Sequence, residues 1–175
     1  IPVDHLLGVP ILYPYFEKKF SSKKDDVMVV SPDLGSVTRA RNFAEKLNVP
    51  LAIVDKRRQK ANVSEVMNII GEVEGKRVII VDDLIDTAGT LCNAAEAILK
   101  KGAKEVYACA THGVLSGKAI ERLQDSCIKE MVLLDTIPVT GNKKIDKIKT
   151  LPISPVFAEA IERIYEDKPI SPLFA

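Results

Sequence analysis

Short apolar runs alternate with amphipathic stretches along this 175-residue chain. Val27 to Val30, Leu51 to Val54, Val78 to Val81, Val106 to Thr111 and Met131 to Leu134 each predict a short buried strand. Ile148 to Ile153 predicts one more. Between them, Val37 to Leu47 places Ala40, Phe43, Ala44 and Leu47 at helical spacing, and Asn48-Val49-Pro50 ends that helix. Leu91 to Lys100 predicts a helix closed by Gly102 as its C′ glycine. Ser116 to Gln124 predicts another with Ser116 as N-cap, and Pro155 to Glu166 a last one. His112-Gly113-Val114 reads as a strand's exit loop, and Thr136 to Lys144 as a polar loop. Glu65 to Lys76 fits either period. The Glu74-Gly75-Lys76 turn favours an antiparallel strand or hairpin arm there. The repeated order of strand, loop and helix predicts an α/β fold with a mostly parallel sheet flanked by helices.

The two ends are less regular. Ile11 to Phe20 reads as a helix or short docking segment, Ser21 to Asp26 as a surface connection, and Ile170 to Ala175 as an apolar tail that must dock. Residues 1–20 and 165–175 are thus expected to dock on a single domain spanning 1–175. The chain opens on Ile1-Pro2-Val3-Asp4-His5 without a Met, which reads as the middle of a longer chain.

Charge and composition narrow the function classes. The formal net charge is +1, which predicts no general affinity for nucleic acid or anionic membrane. No apolar run reaches the length of a membrane span, and the first residues lack a signal-peptide pattern, so a cytoplasmic protein is expected. Cys92, Cys109 and Cys127 are widely spaced and odd in number, and read as reduced core thiols.

The most chemically loaded stretch is Val78 to Thr90. An all-apolar strand is followed at once by Asp82 and Asp83. Asp86 and the small-residue segment Thr87-Ala88-Gly89-Thr90 come next, and then the helix. An open α/β sheet binds ligands outside the carboxyl ends of its strands, with a helix N-terminus facing them. Backbone amides, the hydroxyls of Thr87 and Thr90, and the close approach allowed by Gly89 suit a phosphate. The acids would repel that phosphate, so they suit vicinal hydroxyls or a divalent metal on the same ligand. A sugar phosphate satisfies both halves. The stretch is neither a P-loop nor a dinucleotide fingerprint.

Two more segments carry candidate chemistry. In Ser31 to Arg41, Asp33 follows a strand and Gly35-Ser36 precede a helix, a pattern that suits a magnesium-bound polyphosphate or a plain capped turn. Lys56-Arg57-Arg58-Gln59-Lys60 puts four cations in five residues directly after a strand. That run is either a solvated face or a mobile loop whose cations close over a transferring phosphoryl group.

Val78 to Thr90 resembles the phosphoribosyl pyrophosphate (PRPP) binding signature shared by type I phosphoribosyltransferases and ribose-phosphate pyrophosphokinases. Ser31-Pro32-Asp33-Leu34-Gly35-Ser36 with Arg39-Ala40 resembles the pyrophosphate loop of the pyrophosphokinases, Ser36 standing where Gly is usual. Lys56-x-Arg58 resembles their flexible loop, and Tyr107 to Gly117 also matches. The likeness runs from Ile1-Pro2-Val3-Asp4 to Ser171-Pro172-Leu173-Phe174, and is to the C-terminal half of the bacterial type.

That resemblance implies a type I phosphoribosyltransferase-like fold and a definite reaction. The pyrophosphoryl group of MgATP passes to the 1-hydroxyl of ribose 5-phosphate, giving PRPP and AMP. It implies Lys56 and Arg58 as the catalytic pair, with Arg58 also on the sugar phosphate. Thr87, Ala88, Gly89 and Thr90 would hold the 5-phosphate, Asp82 and Asp86 the ribose hydroxyls, and Asp83 would support the site. Asp33, Leu34, Gly35 and Ser36 form the pyrophosphate loop, with Asp33 on Mg2+. Asp4, Ser171 and Phe174 match positions tied to regulation, with phosphate and ADP as effectors. His5 lies in the same matching segment, and His112 reads as structural. ATP and ribose 5-phosphate are the implied partners, in a homo-oligomer (dimer or hexamer). The family's other half supplies most adenine contacts, so the chain is expected to bind the sugar phosphate yet turn over poorly alone. The rival readings are a phosphoribosyltransferase that consumes PRPP, and a non-catalytic regulatory relative.

Overall fold

The computed structural model describes residues 1, 3–22, 24–57 and 66–174, with the backbone alone at 56–57 and 66–67. Seven strands form one sheet. In chain order they are β1 (Val27–Ser31), β2 (Leu51–Arg57), β3 (Val66–Ile70), β4 (Arg77–Ile85), β5 (Glu105–Gly113), β6 (Ile128–Leu134) and β7 (Ile148–Leu151). In space they run β3-β2-β1-β4-β5-β6-β7. Every pairing is parallel except β2 with β3; β3 is the antiparallel strand expected within residues 65–76, but its partner is β2, not β4, the strand into which the Glu74-Gly75-Lys76 turn leads.

The helices are α1 (Val9–Lys19), α2 (Val37–Leu47), α3 (Gly89–Lys100), α4 (Ala119–Asp125) and α5 (Ser154–Tyr165). Successive strand residues point to opposite faces, so each parallel strand feeds two cores. Val78 and Ile80 of β4 join Leu91, Ala94, Ala95 and Ile98 of α3 on one face. Ile79 and Val81 join Phe16 of α1 and Phe43 of α2 on the other. Residues 27–30 of β1, 78–81 of β4 and 106–110 of β5 are therefore apolar, as a strand covered on both faces must be. Gly102, at φ +95°, ends α3 in a Schellman arrangement: its N–H bonds Leu99 C=O, and Ala103 N–H bonds Ile98 C=O.

Strand lengths depart from the sequence reading, and one cause serves for all. A strand continues for as long as its neighbour offers partners. β5 runs to Gly113 beside β4, so Asp82 pairs with Ala110, Leu84 with His112 and Ile85 with Gly113. Asp82 and Asp83, expected just past the strand, are thus its sixth and seventh residues of nine, and His112 and Gly113 are strand rather than exit loop. Likewise β3 holds β2 extended through Lys56 and Arg57, which were expected in a loop.

Smaller differences follow. α4 starts at Ala119, with Lys118 at its N-cap position, so Ser116 is not its cap. Cys109 is buried, but Cys92 and Cys127 are only half-buried. The C-terminal tail docks through Leu173, while Phe174 is half-buried. Leu12, Phe16 and Phe20 anchor the α1 region, whereas Ile1, Val3, Asp4 and His5 are exposed. Among the described residues no helix is long and apolar enough to cross a membrane.

Candidate functional site

Topology alone selects one place on this sheet. After β1 the chain steps one way to β2 and β3, then returns to the other side of β1 with β4. The crevice where strand order reverses, at the carboxyl ends of β1 and β4, is where open α/β sheets bind ligands. A cleft of about 390 Å³ opens there. Its walls come from both loops singled out in the sequence: Asp33, Gly35 and Ser36 after β1, and Asp82 through Leu91 at the end of β4. Two separate sequence signals are therefore one site.

The phosphate-type wall is built by α3. Its N-cap position is Ala88, whose φ of +60° is left-handed, a conformation costing a non-glycine residue about 1 kcal/mol. Ala88 has no side chain that could cap α3, and no acid sits in the helix's first turn. Its first backbone N–H groups, with the positive end of the helix dipole, are left to the cleft. The loop before α3 is tied down from outside. Ser116 N–H donates to Asp86 C=O at 3.0 Å, and Ser116 Oγ donates to Asp86 Oδ1. Arg122 Nη1 donates to Thr87 C=O at 2.7 Å. These bonds account for a strained Ala88 persisting in a short loop.

The acidic wall belongs to β4, and a cation from α2 clamps it. Arg39 Nη1 lies 3.4 Å from Asp82 Oδ1 and Nη2 lies 2.7 Å from Asp83 Oδ2. Asp82 Oδ1 also accepts Asp83 N–H at 2.9 Å and Ser36 Oγ–H at 3.0 Å. Burial pushes the Asp82 carboxyl up to about 6, and the neighbouring Asp83 carboxylate adds to that. The Asp83 amide and the Ser36 hydroxyl pull it partway back. Asp83 itself is exposed.

The loop after β1 is closed by its own acid. Asp33 Oδ1 accepts Ser36 N–H at 2.9 Å, and Ser31 Oγ donates to Asp33 C=O at 2.7 Å. Ser36 occupies the N-cap position of α2, yet makes no capping hydrogen bond. Its hydroxyl turns to Asp82 instead. Part of the capped-turn alternative thus holds, with Asp33 as the turn's acceptor, but the Ser36 side chain serves the neighbouring strand.

Of the residues expected at a site, Asp33, Gly35, Ser36, Asp82, Asp83, Asp86 and Thr87 to Thr90 share the cleft. Leu34 is exposed at its rim and does not line it. Lys56 has only its backbone placed, near the end of β2, and Arg58 lies outside the described residues. Asp4, Ser171 and Phe174 lie outside the cleft. His112 lies outside it as well. The Thr136 hydroxyl proton goes to Thr111 C=O at 2.8 Å, so His112 Nδ1, 2.9 Å from Thr136 Oγ1, is the donor in that pair.

Three participants escaped the sequence reading of roles: Arg39, Ser116 and Arg122. Only Arg39 left a signal. It is a cation in the first turn of α2, facing the positive end of the helix dipole, where a cation is unfavourable without another partner. Among the described residues no three His, Cys, Asp or Glu converge on a metal-sized site. A metal arriving with phosphate oxygens and waters needs only one or two carboxylates, and Asp33 at the cleft wall fits that chemistry.

Comparison with known proteins gives a consistent picture. The phosphoribosyl synthetase-associated domain matches residues 57–175. The ribose-phosphate pyrophosphokinase of Clostridium acetobutylicum is 66% identical over 174 residues, and that of Caldanaerobacter subterraneus 70%. Each alignment covers 99% of this chain and 54% of the relative, so the chain spans about half the length of the curated relatives it matches. The crystal structure of phosphoribosylpyrophosphate synthetase from Mycobacterium smegmatis superposes with a TM-score of 0.87 at 36% identity, covering 95% of this chain and 53% of that one. Adenine phosphoribosyltransferase from Saccharomyces cerevisiae, at 22% identity and a TM-score of 0.53, shares the fold, with 66% of this chain and 72% of that one covered. The chain belongs to the phosphoribosyl synthetase-associated domain family.

Proposed function

We propose that this chain carries the ribose 5-phosphate and pyrophosphate sites of a ribose-phosphate diphosphokinase. The observation that carries the reading is the pairing, within one cleft, of uncapped α3 amides with the Asp82–Asp83 edge. One wall suits a dianionic phosphate and the other suits sugar hydroxyls. A simple phosphate would use only the first, and a sugar without phosphate only the second. The pyrophosphokinase names of the relatives and the Mycobacterium neighbour support the same reaction.

In this reading the amides of Ala88 to Thr90 and the hydroxyls of Thr87 and Thr90 hold the 5-phosphate. Asp82 and Asp86 accept hydrogen bonds from ribose hydroxyls, and Arg39 keeps the two adjacent carboxylates of β4 from repelling one another. Loop 33–36 faces the pyrophosphoryl group, with Asp33 as the carboxylate for Mg2+. That ion would supply charge neutralisation on the phosphate oxygens. Lys56 and Arg58 stabilise the negative charge that spreads over the transferred group. Removing either should cost roughly a hundredfold in rate, the usual scale for one transition-state donor.

Calorimetry with ribose 5-phosphate and MgATP, added separately to the 175-residue chain, tests the proposal. Saturable binding of ribose 5-phosphate with little or no MgATP binding is expected, because the adenine contacts are assigned to the other half of the relatives. No ribose 5-phosphate binding would sink the assignment of the cleft. AMP formation at the rate of a normal kinase by this chain alone would sink the division of labour between halves.

A further inference from the structure

Ser36 is buried, and it bridges two acids of opposite duty. Its N–H goes to Asp33 Oδ1 at 2.9 Å and its hydroxyl to Asp82 Oδ1 at 3.0 Å. A serine at an N-cap position ordinarily turns its oxygen to the helix amides. Here that option is left unused, so the bond to Asp82 is made at the expense of a cap. The three donors described on Asp82 are Ser36 Oγ, Asp83 N and Arg39 Nη1, and all reach Oδ1. A carboxylate gripped through one oxygen by donors from three directions has its plane fixed and its second oxygen turned away from them.

From this geometry we infer that Ser36 is a positioning residue. It locks Asp82 through Oδ1 so that Oδ2 is presented to a ribose hydroxyl, and it couples the pyrophosphate loop to the sugar edge of the cleft. The inference rests on the proposed function and deepens it. Arg39 and the Asp83 amide hold Oδ1 from α2 and from β4 itself. Among the described residues, Ser36 alone links it to the loop that carries Asp33. Ordering of loop 33–36 by a polyphosphate therefore tightens the orientation of Asp82, and a bound sugar in turn steadies the loop. Gly at this position, the form usual in the pyrophosphate loops that this segment resembles, would keep the backbone N–H link to Asp33 and lose the hydroxyl link to Asp82.

The test is a pair of calorimetric titrations, ribose 5-phosphate and inorganic phosphate, on the wild-type chain, Ser36→Gly, Ser36→Ala, Asp82→Asn and the Ser36→Ala/Asp82→Asn double variant. Ser36→Gly and Ser36→Ala should each weaken ribose 5-phosphate by about tenfold, the scale of one hydrogen bond to a charged group, and weaken inorganic phosphate much less. In the Asp82→Asn background the Ser36 change should have no further effect, because its route is through Asp82. Equal losses for sugar phosphate and phosphate would overturn the inference, and so would additive losses in the double variant. Unchanged affinity in both Ser36 variants, with wild-type binding intact, would overturn it while leaving the proposed function standing. Wild-type chain that binds ribose 5-phosphate no better than phosphate would overturn both. Ser36→Gly adds no atoms and deletes no cap, so at least one variant keeps the fold.

Discussion

The two ends of the parallel strands treat charge in opposite ways. At the amino ends of β4 and β5, Arg77 reaches Asp26 at 3.1 Å and Glu105 at 3.1 Å, and Lys104 also pairs with Asp26 at 3.1 Å. Asp26 is held below its usual range, first by its hydrogen bond to Lys104 and then by Arg77. Burial would raise Glu105, but the Tyr107 hydroxyl, Lys129 and Arg77 together outweigh it, and it too is lowered. At the carboxyl end of β4 the balance is reversed. Asp82 and Asp83 are adjacent and share one arginine, and the more buried of them is pushed up to about 6. One end of the sheet lowers its own free energy. The other holds an acid against its preference, next to a left-handed Ala88 and an uncapped helix. Local costs collected at one place are what a binding site looks like before its ligand arrives.

The largest effect that could break this contrast is expected from Arg39→Ala. It leaves two neighbouring carboxylates without their shared cation. Affinity for ribose 5-phosphate should fall at least about tenfold, on the scale of a lost charge-assisted pair. Arg77→Ala, the matching change at the other end, should lower Tm by about 3–5 °C, as a loss of roughly 1–2 kcal/mol does in a chain of this size. Its ribose 5-phosphate affinity should equal that of the wild-type chain. If Arg77→Ala weakened the ligand as much as Arg39→Ala, the division between the ends would be lost.

Asp82→Asn sharpens the comparison through pH. Below about pH 4 an aspartate is protonated in the unfolded chain, and Asp82 is protonated in the folded one too, so its burial then costs nothing extra. As pH rises through about 6, the folded carboxyl must ionise where ionisation is resisted, and stability is lost. Replacing it should therefore raise Tm at pH 7.5, by about 2 °C after allowing for the part that stays solvated, and the gain should fade toward pH 4. Asp26 and Glu105 carry the opposite sign. Their contribution is present above the unfolded carboxyl values and disappears as pH falls through the lower folded ones. A Tm gain for Asp82→Asn that grew on acidification would contradict this account. Least is expected of Lys104→Ala. Its pair with Asp26 is largely exposed, and thermal unfolding should move by about 2 °C or less.

Much of this was legible in the sequence because it rests on local rules. The β-branched runs, the helical spacing in Val37–Leu47 and the closing glycine at Gly102 each report on a few neighbouring residues. The ligand loops were legible for the same reason, as strand, polar turn and helix in order. What local rules could not supply was pairing between distant segments. The length of β4 was set by β5, and that of β2 by β3. Ser116 has every local mark of a helix cap, but its partner is Asp86, thirty residues earlier. Ser36 likewise looked like part of a capped turn until β4 brought Asp82 beside it. That loops 33–36 and 82–90 form one cleft follows from the strand order, in which β1 and β4 are neighbours across a long gap in the chain.

Amide chemical-shift mapping of the isotopically labelled chain during titration with ribose 5-phosphate tests the central claim most directly, because it reports on both ends of the sheet in one experiment. Saturable shifts are predicted for the amides of Asp82 to Thr90 and of Asp33 to Ser36, with Asp26, Arg77, Lys104 and Glu105 unmoved. Shifts concentrated at the amino ends of the strands, or none at Asp82 to Thr90 at saturating sugar phosphate, would contradict it.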